Sequence, residues 1–225
     1  MSERQLELPQ RALIFANGDL NDGPAVRAAL AYAPGAVIVA ADGGARLAAA
    51  CGLRPDLIVG DLDSLGEDEA DRFAAQGAEV RRVSPHKNET DLELALLAAA
   101  ERGATWIRVI GAVGNRLDQV LAGVYMLLMP QLDGCDARLV AGRQTLWVIG
   151  PGRHTLDGAP GDTVSLIPLA GDARDVRTEA LEYPLHGETL VMGAARGVSN
   201  VMQADRAQVA LGAGTLAVVH TVGRA

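Results

Sequence analysis

Cysteine is nearly absent: the 225 residues hold only Cys51 and Cys135, and neither stands in a C-x-x-C spacing. That argues against a disulfide scaffold or a structural zinc site and fits a reducing cytosol. No uninterrupted apolar run approaches the roughly 18 residues that would mark a membrane span. The opening MSERQLELPQR alternates charged and apolar residues without a continuous hydrophobic core, so no secretory signal is expected. Positive charge is the scarcer sign, 20 Lys and Arg against 28 Asp and Glu, for a net charge of -8. Nucleic-acid binders carry a basic footprint, so a polyanionic partner is disfavoured, while a metal ion or a cationic small molecule suits the balance. Many ordinary cytosolic enzymes are acidic as well, so charge excludes more than it selects. The sequence also has no internal repeat, no low-complexity tail, no G-x-x-x-x-G-K-[ST] phosphate loop and no complete G-x-G-x-x-G dinucleotide fingerprint. The four histidines, His86, His154, His186 and His220, lack metal-ligand spacing. The expectation is a soluble cytoplasmic protein with no nucleic-acid or membrane partner.

Nearly half of the residues are apolar, enough for one large core or two modest ones. In the first two thirds, short apolar runs end in Gly, Asn, Asp or Ser: RALIFANG, GAVIVAADGG, DLIVGDLDS, GAEVRRVS, TWIRVIGAVG and ARLVAG. Buried parallel strands read this way. Ala- and Leu-rich helical stretches lie between them, over 25–33, 45–52, 67–76, 91–102 and 117–129. Strand and helix in alternation predict an α/β fold with a doubly wound, mostly parallel sheet. After about Gly150 the Pro/Gly-rich GPGRHTLDGAPGD changes the character, and short alternating segments separated by glycines predict a small all-β domain, a sandwich or partly closed barrel. The domains are therefore expected at 1–149 and 150–225. Residues 207–211 and 215–222, joined by GAG, read as a hairpin.

In an open parallel sheet, ligands sit beyond the carboxyl ends of the strands. Four polar clusters fall at that edge: Asp42-Gly43-Gly44, Asp61 with Asp63, Asp91, and the segment GNRLDQ. If the chain stays extended at 61–63, both carboxylates share one face, and paired carboxylates suit a cation such as Mg²⁺. The competing reading is that Asp63-Ser64 forms a turn and caps the helix starting near Glu67. Thr90 and Glu93 fit a capping box, and Asp91 complements the same helix start or serves as a third metal carboxylate. Lys87 is a phosphate contact or a solvated loop lysine. Gly43 and Gly44 make either a tight turn or a close approach to a ligand. Arg116, Asp118 and Gln119 open a helix after a Gly-rich turn, an arrangement that favours phosphate. In the β region Tyr183, Ser199 and Asn200 are possible ligand contacts, with a turn explaining Ser199-Asn200 equally well.

The ordered set ADGGA, PDLIVGDLDS, K-x-x-TD-x-E-x-AL, G-A-x-G-x-R-x-D, SLIPL and GVSN resembles the thiamine pyrophosphokinase family from about Ala12 to Asn200. The resemblance implies an N-terminal domain binding ATP and Mg²⁺ and a β domain helping to bind thiamine, in a homodimer with the site at the interface. It places metal-binding aspartates on Asp61, Asp63 and Asp91 and the phosphate and substrate motif on Arg116, Asp118 and Gln119. Asp42, Gly43, Gly44 and Lys87 fall on the nucleotide side, and Ser199 and Asn200, with Tyr183, on the thiamine side. Departures are Asn88, where many bacterial members have Asp, Asn115, where Gly is common, and Tyr183, where some relatives have Trp. The implied reaction is transfer of a pyrophosphoryl group from ATP to the thiamine hydroxyl, releasing AMP, with Asp61, Asp63, Asp91 and Arg116 at the chemistry. Other readings are a pyrophosphokinase for another alcohol such as a hydroxymethyl pterin, a D-x-D phosphohydrolase, or a non-catalytic thiamine or nucleotide sensor.

Overall fold

A computed structural model describes residues 10–224; the N-terminal stretch that argues against a secretory signal lies largely outside the described residues. The chain divides into two compact units. The first runs up to Asn21 and resumes over Val26–Leu139; the second joins Asp22–Ala25 to the residues from Val140 onward. Ala25 belongs to the second because its N–H donates to the carbonyl of Gly142. Among the described residues no helix is long and apolar enough to cross a membrane.

The first unit alternates β1 (Arg11–Phe15), α1 (Pro24–Leu30), β2 (Val37–Ala41), α2 (Gly44–Ala50), β3 (Leu57–Gly60), α3 (Glu67–Ala75), β4 (Glu79–Arg82), α4 (Asp91–Glu101), β5 (Trp106–Ile110), α5 (Leu117–Met126) and β6 (Asp136–Ala141). Strands β1, β2, β3 and β5 are buried along almost their whole length, which is why they read as continuous apolar runs rather than alternating ones. The order is β6-β5-β1-β2-β3-β4, and the pairs β5–β1, β1–β2, β2–β3 and β3–β4 are parallel. The expected α/β architecture is thus present. From β1 the chain winds outward through β2, β3 and β4 and then returns to β1's other side with β5. That reversal is a topological switch point, the place where open α/β sheets form a crevice.

Helix α4 packs across β1, β2 and β3. Its start is fixed as the sequence predicts: Thr90 is the N-cap, and its Oγ1 accepts from the N–H of Glu93. Helix α3 starts differently. Its N-cap is Gly66 without any side-chain cap, so the capping role weighed for Asp63 is not used.

The second unit contains β7 (Gln144–Ile149), β8 (Gly152–Asp157), β9 (Thr163–Pro168), β10 (Ala173–Glu179), β11 (His186–Leu190), β12 (Asn200–Val201), β13 (Arg206–Leu211) and β14 (Leu216–Thr221). One group is ordered β12-β9-β14-β7 and a four-stranded sheet β11-β10-β13-β8, with antiparallel pairing in both. A shared core that includes Leu156, Leu166, Val176, Leu190, Met202 and Val218 draws side chains from both sheets, as in a sandwich. Strand β7 pairs with β14 within the second unit. The predicted 207–222 hairpin is corrected. Strand β13 pairs with β8 and β10, whereas β14 pairs with β7 and β9, so Gly212-Ala213-Gly214 carries the chain from one sheet to the other. Gly214 has φ +98°, and Ala213 bridges to Arg174, which holds that crossing in place.

Candidate active site

The sheet's carboxyl edge in the first unit carries a cavity of about 720 Å³, within the range of small-molecule sites. Its wall comes from the loops after β1 and β5, flanking the switch point, and from the segments after β3 and before α4. The two switch-point loops touch: a Cβ on Gly18 would lie 2.3 Å from the carbonyl oxygen of Gly111, and Gly111 itself has φ +79°. Only glycine permits that approach in that conformation.

Three carboxylates, from Asp42, Asp61 and Asp91, each offer an oxygen within 4.8 Å of the others. Their convergence depends on Gly60, whose missing Cβ would sit 2.8 Å from Cβ of Asp42 and 3.3 Å from Cγ of Asp91. Asp42 is 2% exposed and has φ +46°. Its Oδ2 accepts from the N–H of Ser64 and its Oδ1 from the N–H of Leu65, both at 3.0 Å. One buried side chain therefore shapes the loop after β3. Burial, the largest influence, raises the pKa of Asp42; the two backbone N–H groups oppose it, while Asp63 and the charge of Asp91 add to it.

The 61–63 segment departs from the extended chain expected of it. Leu62 has φ +64° and is buried with Ala40, Ala45, Ile58, Leu65 and Ala70, so the core draws its side chain inward and the backbone turns. Asp61 Oδ1 accepts from the N–H of Asp63 at 3.2 Å, closing an Asx-type turn. Asp63 Oδ1 accepts from the Ser64 hydroxyl at 3.1 Å. Asp61 and Asp63 both line the cavity, but the carboxylate group is completed by Asp42 and not by Asp63. Arg46 supports the loop from behind, donating to the carbonyls of Ser64 and Leu65 and pairing with Glu69.

Lys87 reaches into this cluster. Its Nζ lies 2.5 Å from Asp91 Oδ1 and 3.8 Å from Asp61 Oδ2, so an ammonium faces two of the acids. Arg116 and Gln119 line the cavity; Asp118 does not. Arg116 binds Asp118 through two hydrogen bonds, Nε to Oδ1 at 2.9 Å and Nη2 to Oδ2 at 2.5 Å. That hydrogen-bonded pairing lowers the Asp118 pKa to about 2. Gly43 and Gly44 are not in the wall. A Cβ on Gly44 would come 1.9 Å from the Phe15 carbonyl oxygen and one on Gly43 2.2 Å from Asn17 Oδ1, so both serve the tight turn into α2.

Tyr183, Ser199 and Asn200 belong to the second unit and are not among the residues lining the cavity. Tyr183 is exposed, and the Asn200 side chain bonds its backbone. The sequence reading passes over Asn17, Gly18, Asp19 and Glu89, which the structure places in the cavity wall. A signal existed: FANGD follows β1 directly, at the same carboxyl edge that marked the other clusters.

Hard carboxylate oxygens in this grouping fit Mg²⁺, which binds through one or two carboxylates together with substrate phosphates. Asp42 can still contribute, because each carboxylate oxygen keeps a lone pair beyond its backbone bond.

Two family models match the chain: "Thiamin pyrophosphokinase, catalytic domain" over residues 31–139 and "Thiamin pyrophosphokinase, vitamin B1 binding domain" over residues 153–216. The thiamine pyrophosphokinase of Bacillus subtilis (strain 168) is 25% identical over 171 residues, covering 76% of this chain and 80% of that protein. Thiamine pyrophosphokinase 1 of Oryza sativa subsp. japonica is 22% identical, and the match spans 69% of this chain and 62% of the rice protein. Among solved structures, the Bacillus subtilis thiamine pyrophosphokinase superposes with a TM-score of 0.84 at 24% identity, over 95% of this chain and 99% of that one. The Candida albicans thiamin pyrophosphokinase superposes with a TM-score of 0.79 at 16% identity, over 95% and 89% of the two chains.

Proposed function

The chain belongs to the thiamine pyrophosphokinase family, and on that premise we propose that its cavity carries out ATP-dependent pyrophosphoryl transfer to thiamine. The protein is an enzyme of this type: the primary hydroxyl of thiamine attacks the β-phosphorus of ATP, the bond to the α-phosphate oxygen breaks, and AMP leaves. The observation that carries the reading is the carboxylate group at a sheet-edge cavity of nucleotide size.

Phosphoryl chemistry of this kind rests on positioning and on neutralising charge. Asp42, Asp61 and Asp91 would hold Mg²⁺, which supplies charge neutralisation on the phosphates when bound. Asp63 lines the same cavity as Asp61 and Asp91. Lys87 and Arg116 bring cationic donors to the phosphates from opposite loops, and the opening turn of α5 adds backbone N–H groups. Tyr183, Ser199 and Asn200 serve thiamine. A homodimer and a cytoplasmic setting complete the proposal. An apolar stripe on α5 supports the dimer: Leu117, Leu121 and Tyr125, four residues apart on one helix face, are 76%, 60% and 52% exposed.

The test is direct. Purified protein is incubated with ATP, thiamine and Mg²⁺, and the products are resolved by chromatography. AMP and thiamine diphosphate in equal amounts are expected, and Asp61→Asn should abolish both; ADP, free phosphate or no turnover refutes the reading. Light scattering of the eluting protein reads the oligomer.

A further inference from the structure

Resting on the thiamine reading above, we propose that Asn200 is a positioning residue that acts through Tyr183. Its side chain pins the tyrosine backbone, and the tyrosine ring is what meets the substrate.

The geometry leaves Asn200 little to offer a ligand. Its Oδ1 accepts from the N–H of Tyr183 and from the N–H of Val201, both at 2.9 Å, and its Nδ2 donates to the carbonyl oxygen of Tyr183 at 2.7 Å. Both oxygen lone pairs and one of the two amide hydrogens are committed. A ligand taking Oδ1 would have to break a backbone bond, leaving an N–H of Tyr183 or Val201 without its partner.

The rest of the segment reinforces the pin. Glu182 N–H donates to the Val201 carbonyl and Gln203 N–H to the Ala180 carbonyl, each at 2.9 Å, and Leu181 and Met202 form a bridge with both side chains buried. Ala180 and Ser199, at the two ends, adopt φ +59° and +63°, a conformation that side-chain-bearing residues seldom take without such support. Pro184 follows immediately and restricts Tyr183 toward extended backbone. Ser199 is tied to β9 through its N–H to Ser165 Oγ at 3.0 Å, and Asn200 pairs with Val164. The outcome is an aromatic residue 65% exposed on a backbone held by hydrogen bonds on both sides of it.

Thiamine is a cation built on two flat rings, and an aromatic face attracts both features. A ring fixed before the ligand arrives avoids the ordering cost that a loose one meets on binding. The asparagine that looks like a ligand contact in the sequence therefore does its work on the protein itself.

Steady-state kinetics and thiamine calorimetry on Tyr183→Ala, Tyr183→Phe, Asn200→Ala and the Asn200→Ala/Tyr183→Ala double variant test this. Asn200→Ala and Tyr183→Ala should each raise the KM and Kd for thiamine about tenfold while leaving kcat and the KM for ATP within twofold. Tyr183→Phe should behave as wild type. The double variant should be no weaker for thiamine than Tyr183→Ala alone, because coupled residues are not additive. If Asn200→Ala weakens thiamine by the same factor with or without Tyr183, Asn200 touches the substrate directly and the proposal is overturned. If Asn200→Ala loses its cooperative melting transition, Asn200→Asp replaces it, keeping both acceptor bonds and losing the donor to Tyr183. Its thiamine penalty must then vanish in the Tyr183→Ala background. Wild-type protein that binds thiamine but yields no AMP would sink the catalytic reading while leaving the coupling measurable by calorimetry. No binding of thiamine at all would overturn both.

Discussion

Replacing Gly60 with alanine tests the acid cluster at its tightest point. The added methyl would lie 2.8 Å from Cβ of Asp42, 3.3 Å from its Cα and 3.3 Å from Cγ of Asp91. Asp42 cannot step aside easily, since its carboxylate holds the N–H groups of Ser64 and Leu65 and its φ is already +46°. Nor can Gly60, because β3 is paired on both sides, with β2 and β4. Two effects of opposite sign compete. Restricting the unfolded chain stabilises a compatible Gly→Ala change by about 0.4–1 kcal/mol, whereas overpacking a filled interior costs about 1–3 kcal/mol. With a contact of 2.8 Å to a pinned neighbour, overpacking prevails. For a chain of this length 1 kcal/mol moves Tm by roughly 2–4 °C, so a fall of about 2–8 °C is expected. The more telling readout is a rise in the Mg²⁺ concentration giving half-maximal turnover, because the methyl pushes Asp42 and Asp91 apart. Gly150→Ala, with nothing within 4 Å of its new Cβ, is the matched control and should not lower Tm. If Gly60→Ala matches that control in both Tm and Mg²⁺ dependence, the acids do not depend on this packing and the account of the site fails.

Lys87→Met should separate metal from nucleotide. Removing an ammonium 2.5 Å from Asp91 and 3.8 Å from Asp61 leaves the acids uncompensated. Binding of Mn²⁺ without nucleotide, followed by electron paramagnetic resonance, should tighten about 5–30-fold, as for 1–2 kcal/mol, while the KM for ATP rises; unchanged metal affinity refutes it. In the second unit, Asp162 accepts from the N–H groups of Gly223 and Ala159 and pairs with His220 Nε2. Burial pushes its pKa up, but these bonds outweigh burial and lower it. Its stabilisation is therefore present above the ordinary carboxylate value and lost as pH falls through the lower folded value. Asp162→Asn should cost about 1–3 kcal/mol at neutral pH and flatten the loss of stability below about pH 4. Denaturant melts across pH would contradict this if the wild type and variant curves stayed parallel into acid.

The legible parts of the fold are those set by local chemistry. Buried strands announce themselves as apolar runs, and the α4 start is written in Thr90 and Glu93, three positions apart, where the Thr90 hydroxyl accepts from the Glu93 N–H. The carboxyl-edge rule points to the edge where Asp61, Asp63, Asp91 and Arg116 line the cavity. What stayed hidden depends on distant partners. Asp42 joins the acid cluster through bonds to residues 22 and 23 positions away and a backbone conformation that no local pattern predicts. Leu62 turned out of the strand because a core formed by other elements claimed its side chain, which broke the alternation assumed for Asp61 and Asp63. The GAG turn looked like a hairpin because spacing alone cannot tell a return within a sheet from a crossing between two.

The pair of Arg116 and Asp118 has a consequence for which anions the arginine admits. Both forked N–H positions used in planar recognition are already occupied by a carboxylate two residues along the chain. A singly charged solute in the surrounding medium offers the guanidinium nothing that Asp118 does not, so exchange brings no gain. A polyphosphate also held by the rest of the cavity wall would bring more charge and more oxygens, and would displace a partner whose ion pair is open to solvent and screened by it. With the proposed ATP site, Asp118 would act as a placeholder: it would keep Arg116 out of the traffic of small monoanions and yield it to a ligand anchored elsewhere as well.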